Sequence, residues 1–442
     1  MKLLASSAAL LATLAACQTV PPGPALDSAV HIRWDTEPAI RAKGLQPDTV
    51  YTLVLETPAY WDKDVTRRSE TPYRSDARGR IDTDAQAPEG EDERSAHRPL
   101  RTLSTVREPL DGVSMSNARI RLLDADGTEV ARRAVAFGPD RSQLSETPLG
   151  EAFDGAFVLS REGAGPQPAI VVLGGSEGGD SAARGAAPRY AAEGFTVLGL
   201  PYHAPDWTGE GSAFPGLPSA FAHLDIAYLE AAVAALRERD DVKAGSVQLV
   251  GVSKGGEYVL LAGSLIPDSS VGGGFCGIVA NVPSDVVWEG WGSAELDAPY
   301  SGFAYKGEPL PFVPYANIAR GINPNDPYTL AQSHADGRAA NPDRVEAARI
   351  RVENIDEPVL MTGGGADTVW PSGDMVRNIA VTREAAGLPT ESFVADGAGH
   401  GLSGTPLRRG TVADTAARLE SYPATLAFLK RNARRADCRD AG

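Results

Sequence analysis

Three residues of this chain have the types and order that acyl-transfer chemistry needs. Ser253 lies in Val247–Leu260, VQLVGVSKGGEYVL, where an apolar strand-forming run stops at Gly251 and a helix-capable segment, Glu257 to Leu265, follows. A serine in the frame G-V-S-K-G reads as a nucleophile elbow on a tight strand-to-helix turn. Gly251, Gly255 and Gly256 supply the small neighbours that such a turn requires. The helix that follows turns its positive end toward Ser253, where developing negative charge is favoured. A glycine-rich turn with an ordinary serine is the plainer alternative.

Two later segments complete the set. Pro358–Ser372, PVLMTGGGADTVWPS, is an apolar strand, a glycine turn and then Asp367. Glu391–Leu402, ESFVADGAGHGL, is a short strand and a loop carrying His400. The order Ser253, Asp367, His400 is that of an α/β-hydrolase triad. A serine hydroxyl is a weak nucleophile until a histidine takes its proton, and a carboxylate fixes the histidine tautomer and stabilises the imidazolium. Each residue is expected just beyond the C-terminal end of a parallel strand, where open α/β sheets place their sites. Asp285, after the strand-like run Gly277–Asn281, is a rival for the acid; Asp367 sits in the sharper turn.

The remaining requirement is an oxyanion hole. In Ala169–Asp180, AIVVLGGSEGGD, a buried strand opens into a glycine-rich loop, which lets backbone N–H groups face a cavity. One donor is expected from Lys254, after the nucleophile, and the other from Ser176 or Glu177. The loop lacks the lysine and hydroxyl residue of a P-loop, and its glycines do not fit G-x-G-x-x-G.

These motifs occur with I-R-V-E-N-I at Ile350–Ile355, Asp-x-x-Trp-Pro-Ser at Asp367–Ser372 and G-A-G-H at Gly397–His400. The set resembles the family of acyl-CoA thioesterases and bile-acid-CoA:amino-acid N-acyltransferases, from about Pro166 to Lys430. Arg409–Leu429 is similar to that family's closing helix, and Asp27–Pro139 resembles its β-sandwich domain more loosely. The resemblance implies Ser253, Asp367 and His400 as nucleophile, acid and base. In the family, serine accompanies hydrolysis and cysteine usually accompanies amino-acid conjugation, so Ser253 implies hydrolysis.

The segment MKLLASSAALLATLAACQTVPP has a positive start, an apolar run too short to span a membrane, and small residues. Leu14-Ala15-Ala16-Cys17 reads as a lipobox, so residues 1–17 are expected to be a signal peptide with Cys17 lipidated, and residues 18–26 a linker. Export to the periplasm or outer membrane follows. Cys276 and Cys438 remain, and an oxidising compartment permits a bridge between them; two idle or packed thiols are the alternative.

At 442 residues a two-domain division is expected. Residues 27–145 read as an all-β, immunoglobulin-like sandwich, from Thr49–Leu55, Ala118–Leu123 and Thr128–Phe137, with Asp82–Arg94 as a charged loop. Residues 150–432 read as an α/β-hydrolase domain. Its expected strands are Ala169–Leu173, Thr196–Leu200, Val247–Val250, Gly277–Asn281, Pro358–Thr362 and Glu391–Val394, in a parallel sheet, with a helix over Leu224–Arg237. Residues 283–341 lose this regularity and concentrate aromatics; they read as a cap over the site or as a surface loop. A net charge of −16 argues against nucleic acid and anionic lipid surfaces. No metal or cofactor motif is present, and the other histidines, His31, His97, His203, His223 and His334, read as surface or core residues. The expected partners are a small acyl thioester or ester and, through the anchor, a membrane. A non-catalytic binding lipoprotein is the reading from another class.

Overall fold

The largest sheet grows from apolar runs that alternate between two faces. Its eight strands, numbered in chain order, are β1 Leu144–Pro148, β2 Phe157–Arg161, β3 Gln167–Leu173, β4 Thr196–Gly199, β5 Val242–Val252, β6 Ile278–Asn281, β7 Val359–Gly364 and β8 Thr390–Ala395. They lie in the order β1-β2-β4-β3-β5-β6-β7-β8. The structure is a computed structural model and describes residues 23–29, 31–33, 39–59, 64–114, 117–207, 209–268, 273–297, 299–403, 410–435 and 438. Cys17 and the signal-like segment lie outside the described residues.

From β4 to β8 every pairing is parallel, while β1 and β2 add antiparallel at one edge. The expected parallel sheet is therefore mixed. The edge strand β1, LSETP, is short and polar, as an antiparallel edge open to water allows, while β2 beside it buries Phe157, Val158 and Leu159. Helices α1 (Ser181–Ala192), α2 (Ala227–Arg237), α3 (Lys254–Leu265) and α4 (Ser372–Ala385) link parallel strands as crossovers, and α5 (Val412–Asn432) closes the domain. The helix expected from Leu224 begins at Ala227, because Leu224 and Asp225 instead pair with Phe303–Tyr305.

Alternation along β3 shows the two layers. Ala169, Val171 and Leu173 join a core with Leu229 and Val233 of α2 and with Val259 and Leu260 of α3. Ile170 and Val172 face the other way, with Tyr190 of α1 and Tyr422 and Leu429 of α5. Period-two alternation thus fills both faces of one sheet.

The N-terminal region is built mainly of strands, with one short helix at Arg98–Arg101. A six-stranded sheet contains Val50–Pro58, Thr66–Arg74, Asn117–Leu123 and Glu129–Phe137, and a three-stranded sheet joins Ala25–Leu26, Arg41–Lys43 and Ile81–Asp82. Leu26, Ala42 and Ile81 share a core with Leu53, Tyr73 and Leu122, and that core is continuous with the α1/α5 layer. Arg67, 1% exposed, donates from Nη2 to Thr415 Oγ1 of α5 at 3.2 Å.

Part of the aromatic-rich stretch 283–341 packs into the core, while Ile318 and Ile322 are exposed. Trp288 and Phe303 are fully buried, and Trp291 stacks on Phe221 with ring centroids 4.3 Å apart.

Cys276, preceding β6, is bridged to Cys438 beyond α5, with Cα atoms 5.7 Å apart across 162 residues. A bridge of this kind typically contributes about 2–4 kcal/mol. Cys276→Ala/Cys438→Ala should lower the urea midpoint accordingly; an unchanged midpoint would show that the bridge adds nothing.

Candidate active site

The strand order reverses around β3 and β5, whose Leu173 and Gly251 are register partners. At the C-terminal ends of these two strands stand the glycine loop and Ser253, as expected of a site at a topological switch point.

Ser253 joins β5 to α3 with φ +57° and ψ −121°, a strained conformation for a residue with a side chain. The turn is held by Ser253 N–H donating to Asn281 O at 2.9 Å and Glu257 N–H donating to Ser253 O at 3.0 Å. Its tightness explains two glycines. A Cβ on Gly251 would lie 2.0 Å from the Gly255 oxygen, and one on Gly255 would lie 2.2 Å from the Gly174 oxygen.

His400 Nε2 is 2.9 Å from Ser253 Oγ, and its Nδ1 is 2.8 Å from Asp367 Oδ2. The three residues expected from sequence are therefore joined in series. A proton on Nδ1 leaves Nε2 free to accept the serine hydroxyl proton. The Asp367 side chain is fully buried and that of His400 is 24% exposed. Asp367 is fixed from several sides. Oδ1 accepts from Val369 N–H at 2.9 Å, and Oδ2 accepts from Ser372 Oγ at 2.6 Å. Asp285 does not take part: it pairs with Arg338 and accepts from Asn378 Nδ2 at 2.9 Å.

The His400 loop is tied to α5. Asp414 accepts from Gly399 N–H and from Thr411 N–H, each at 2.6 Å, and Arg418 donates to Gly401 O.

The glycine loop after β3 is braced from beneath and from one side. Tyr202 Oη donates to Gly174 O at 3.0 Å, Gly179 N–H donates to His203 O at 2.9 Å, and Trp207 Nε1 donates to Glu177 O at 2.9 Å. The Glu177 carboxylate folds back to accept Gly175 N–H at 2.9 Å. Among the described residues the backbone N–H groups of Ser176, Glu177 and Lys254 carry no hydrogen bond. Gly175 packs against the serine, since a Cβ there would sit 3.0 Å from Ser253 Cβ. The arrangement can take a proton from a hydroxyl and offer N–H donors to a developing oxyanion.

Tyr202, Trp207, Ser372 and Asp414 are site residues that sequence reasoning does not single out. Ser372 has a signal in the D-x-x-W-P-S motif. Asp414 has one in T-V-A-D, the capping pattern at the start of α5. Tyr202 and Trp207 have none, because their roles depend on how the loop after β4 folds under and beside the glycine loop.

Residues 224–406 match the family model described as BAAT / acyl-CoA thioester hydrolase C terminal. The resemblance read from the motifs is shown over that segment. The chain is 28% identical over 284 residues to acyl-coenzyme A thioesterase 5 of Mus musculus, covering 61% of this chain and 63% of that one. It is 26% identical over 373 residues to acyl-coenzyme A thioesterase 1 of Homo sapiens, covering 78% and 77%. The match to the mouse protein thus spans less than two thirds of that relative. Among solved structures, a thermophilic esterase from Thermogutta terrifontis is 15% identical with a TM-score of 0.41, covering 67% of this chain and 95% of that one. An esterase from Pyrococcus furiosus is 16% identical with a TM-score of 0.37, covering 62% and 87%.

Two buried histidines give the fold a pH dependence. His203 is 1% exposed, and among the described residues neither ring nitrogen is within hydrogen-bond geometry of a partner. Burial outweighs the opposing influence of the Ser176 backbone and lowers its pKa from 6.5 to about 4. His334 packs among Trp288, Tyr315 and Trp370, and burial lowers its pKa to about 3. Between pH 6.5 and these values the unfolded chain binds protons that the folded one does not. Their contribution is therefore full above pH 6.5 and lost as pH falls toward 4 and 3. His203→Phe, which keeps the ring contacts with Tyr202 and Phe221, should flatten Tm between pH 6.5 and 4. An unaltered acid limb in that variant would refute the assignment to His203.

Proposed function

We propose that this protein is a serine acyl hydrolase acting on acyl thioesters or esters. The observation that carries the reading is the linked geometry of Ser253, His400 and the buried Asp367. Ser253 Oγ attacks the carbonyl while His400 takes its proton, and Asp367 holds the imidazole in the productive tautomer. Lys254 N–H and an N–H of the glycine loop hold the oxyanion. Ser176 is favoured for the second donor, because it follows Gly175, which abuts the nucleophile. The protonated His400 then gives its proton to the leaving group, and water activated by His400 releases the acid.

Acyl-CoA-type thioesters are the first substrate class, on the strength of the matched family and the relatives' names. Esters or thioesters outside the cytosol form a second reading, favoured by the disulfide and the lipobox-like Leu14–Cys17. On that reading the protein is an exported lipoprotein anchored at Cys17, and its strand-rich N-terminal region is an immunoglobulin-like sandwich that packs on the catalytic domain. Intact-mass analysis of the membrane fraction tests the anchor; a wholly soluble mature chain beginning elsewhere would exclude it.

The function is tested by comparing CoA thioesters with p-nitrophenyl esters of matched acyl length, together with labelling by a serine-directed fluorophosphonate. Turnover of either class, with label on Ser253, is expected. Absence of both turnover and label would leave a binding protein on a hydrolase fold.

A further inference from the structure

The residue after the nucleophile has a side chain that its neighbours do not explain by stability. Lys254 is 3% exposed and Glu257 is 0% exposed, with Lys254 Nζ 2.9 Å from Glu257 Oε2. Around the ammonium stand the rings of Phe221, Trp370, Trp291 and Phe303, with centroids 5.3, 5.4, 5.7 and 5.9 Å away. The other Glu257 oxygen accepts from Trp288 N–H at 3.3 Å.

Such a pair is costly. Burial favours the neutral form of both partners, lowering the Lys254 pKa and raising that of Glu257. Replacing a buried ion pair with well-packed apolar groups is often neutral or stabilising. The lysine also opens α3, the helix end where a cation is disfavoured. The ammonium is buried among these aromatic rings.

What the pair does have is position. Lys254 contributes the N–H beside Ser253, and Glu257 closes the first turn of α3 through its own N–H to Ser253 O. Trp370, beneath the ammonium, lies edge-on to His400 with centroids 5.7 Å apart. The pair therefore clamps the start of α3 to Trp288 and to the aromatic wall behind the triad.

We propose that the caged Lys254–Glu257 pair is a positioning device that holds the strained Ser253 turn and the aim of the Lys254 N–H. The inference rests on the hydrolase reading above and assigns these two side chains a role in turnover rather than in stability.

The test is Lys254→Met/Glu257→Leu in the full chain, which replaces the pair by apolar groups of similar size. Its Tm should stay near that of the wild type. On p-nitrophenyl butyrate kcat should fall by about 10²-fold, the scale of losing one oxyanion donor, with KM within about twofold. Fluorophosphonate labelling should slow in parallel. Lys254→Met/Glu257→Gln, which keeps an acceptor for Trp288 N–H, serves as the second variant and should show the same split. Wild-type kcat in either folded variant would overturn the proposal. Failure of both to fold would also overturn it, by making the pair a requirement of the fold. If the wild type itself is neither active nor labelled, the hydrolase reading fails; the clamp is then read from a crystal structure of the double variant. There, retention of Ser253 φ near +57° would overturn it, and relaxation of the turn would support it.

Discussion

Ser253→Ala should reduce turnover by about 10³-fold or more and abolish fluorophosphonate labelling. The expected size follows from how the site is built. The hydroxyl is the only group removed, and the turn that carries it is specified by its surroundings. Gly251 and Gly255 are pressed against backbone, and Ser253 N–H is bound to Asn281 O. An alanine there keeps the same backbone, so circular dichroism and Tm should match the wild type. With the nucleophile gone, His400 has no hydroxyl to deprotonate, and only the N–H donors and substrate binding remain to lower the barrier. Near-normal turnover by a correctly folded Ser253→Ala protein would sink the covalent mechanism.

Asp367→Asn should be of similar severity, about 10⁴-fold in kcat, because an amide favours the wrong tautomer of the histidine. The Asp367 Oδ2 accepts from both His400 Nδ1 and Ser372 Oγ. An amide oxygen kept in that place would still accept the hydrogen bond from His400 Nδ1–H. An NH2 group turned toward the ring must donate instead, forcing the His400 proton onto Nε2, where it blocks attack. Asp285→Asn is the control. That residue faces Arg338 and Asn378, so its replacement should cost stability and leave the rate within about tenfold. Steady-state kinetics on the two variants decides the matter, and a severe rate loss in Asp285→Asn with a mild one in Asp367→Asn would move the acid to the end of β6.

The parts of this site that are local in sequence are legible without the fold. An elbow must be glycine-flanked, a triad acid must follow a strand, and the histidine must come last; Ser253, Asp367 and His400 each satisfy a short-range rule. What stays hidden depends on contacts between distant segments. Glu177 reads as a backbone donor candidate, but only the folded loop shows its carboxylate turned back onto Gly175 N–H. Thr66–Arg74, TRRSETPYR, has too few apolar residues to read as a strand. It is paired along its length with Val50–Pro58, and its polar positions are accommodated by partners such as Glu56 for Arg68. The antiparallel edge of the large sheet escapes notice for a related reason, since short edge strands need little hydrophobic pattern to pair. The Lys254–Glu257 pair is an ordinary i,i+3 spacing on paper; its burial comes from Phe221, Trp291, Phe303 and Trp370, which arrive from three other parts of the chain.

The bond from Arg67 to Thr415 has a consequence for modularity. Arg67 belongs to the strand-rich N-terminal region, and Thr415 follows Asp414, whose carboxylate holds the loop that carries His400. His400, the base of the proposed mechanism, is therefore linked through Asp414 and Thr415 to a strand outside the large sheet. Removing the N-terminal region would uncover the α1/α5 layer and also release one end of the scaffold on which His400 rests. Recombination that swaps the N-terminal region for a foreign domain should keep the position of His400 only where this seam is preserved.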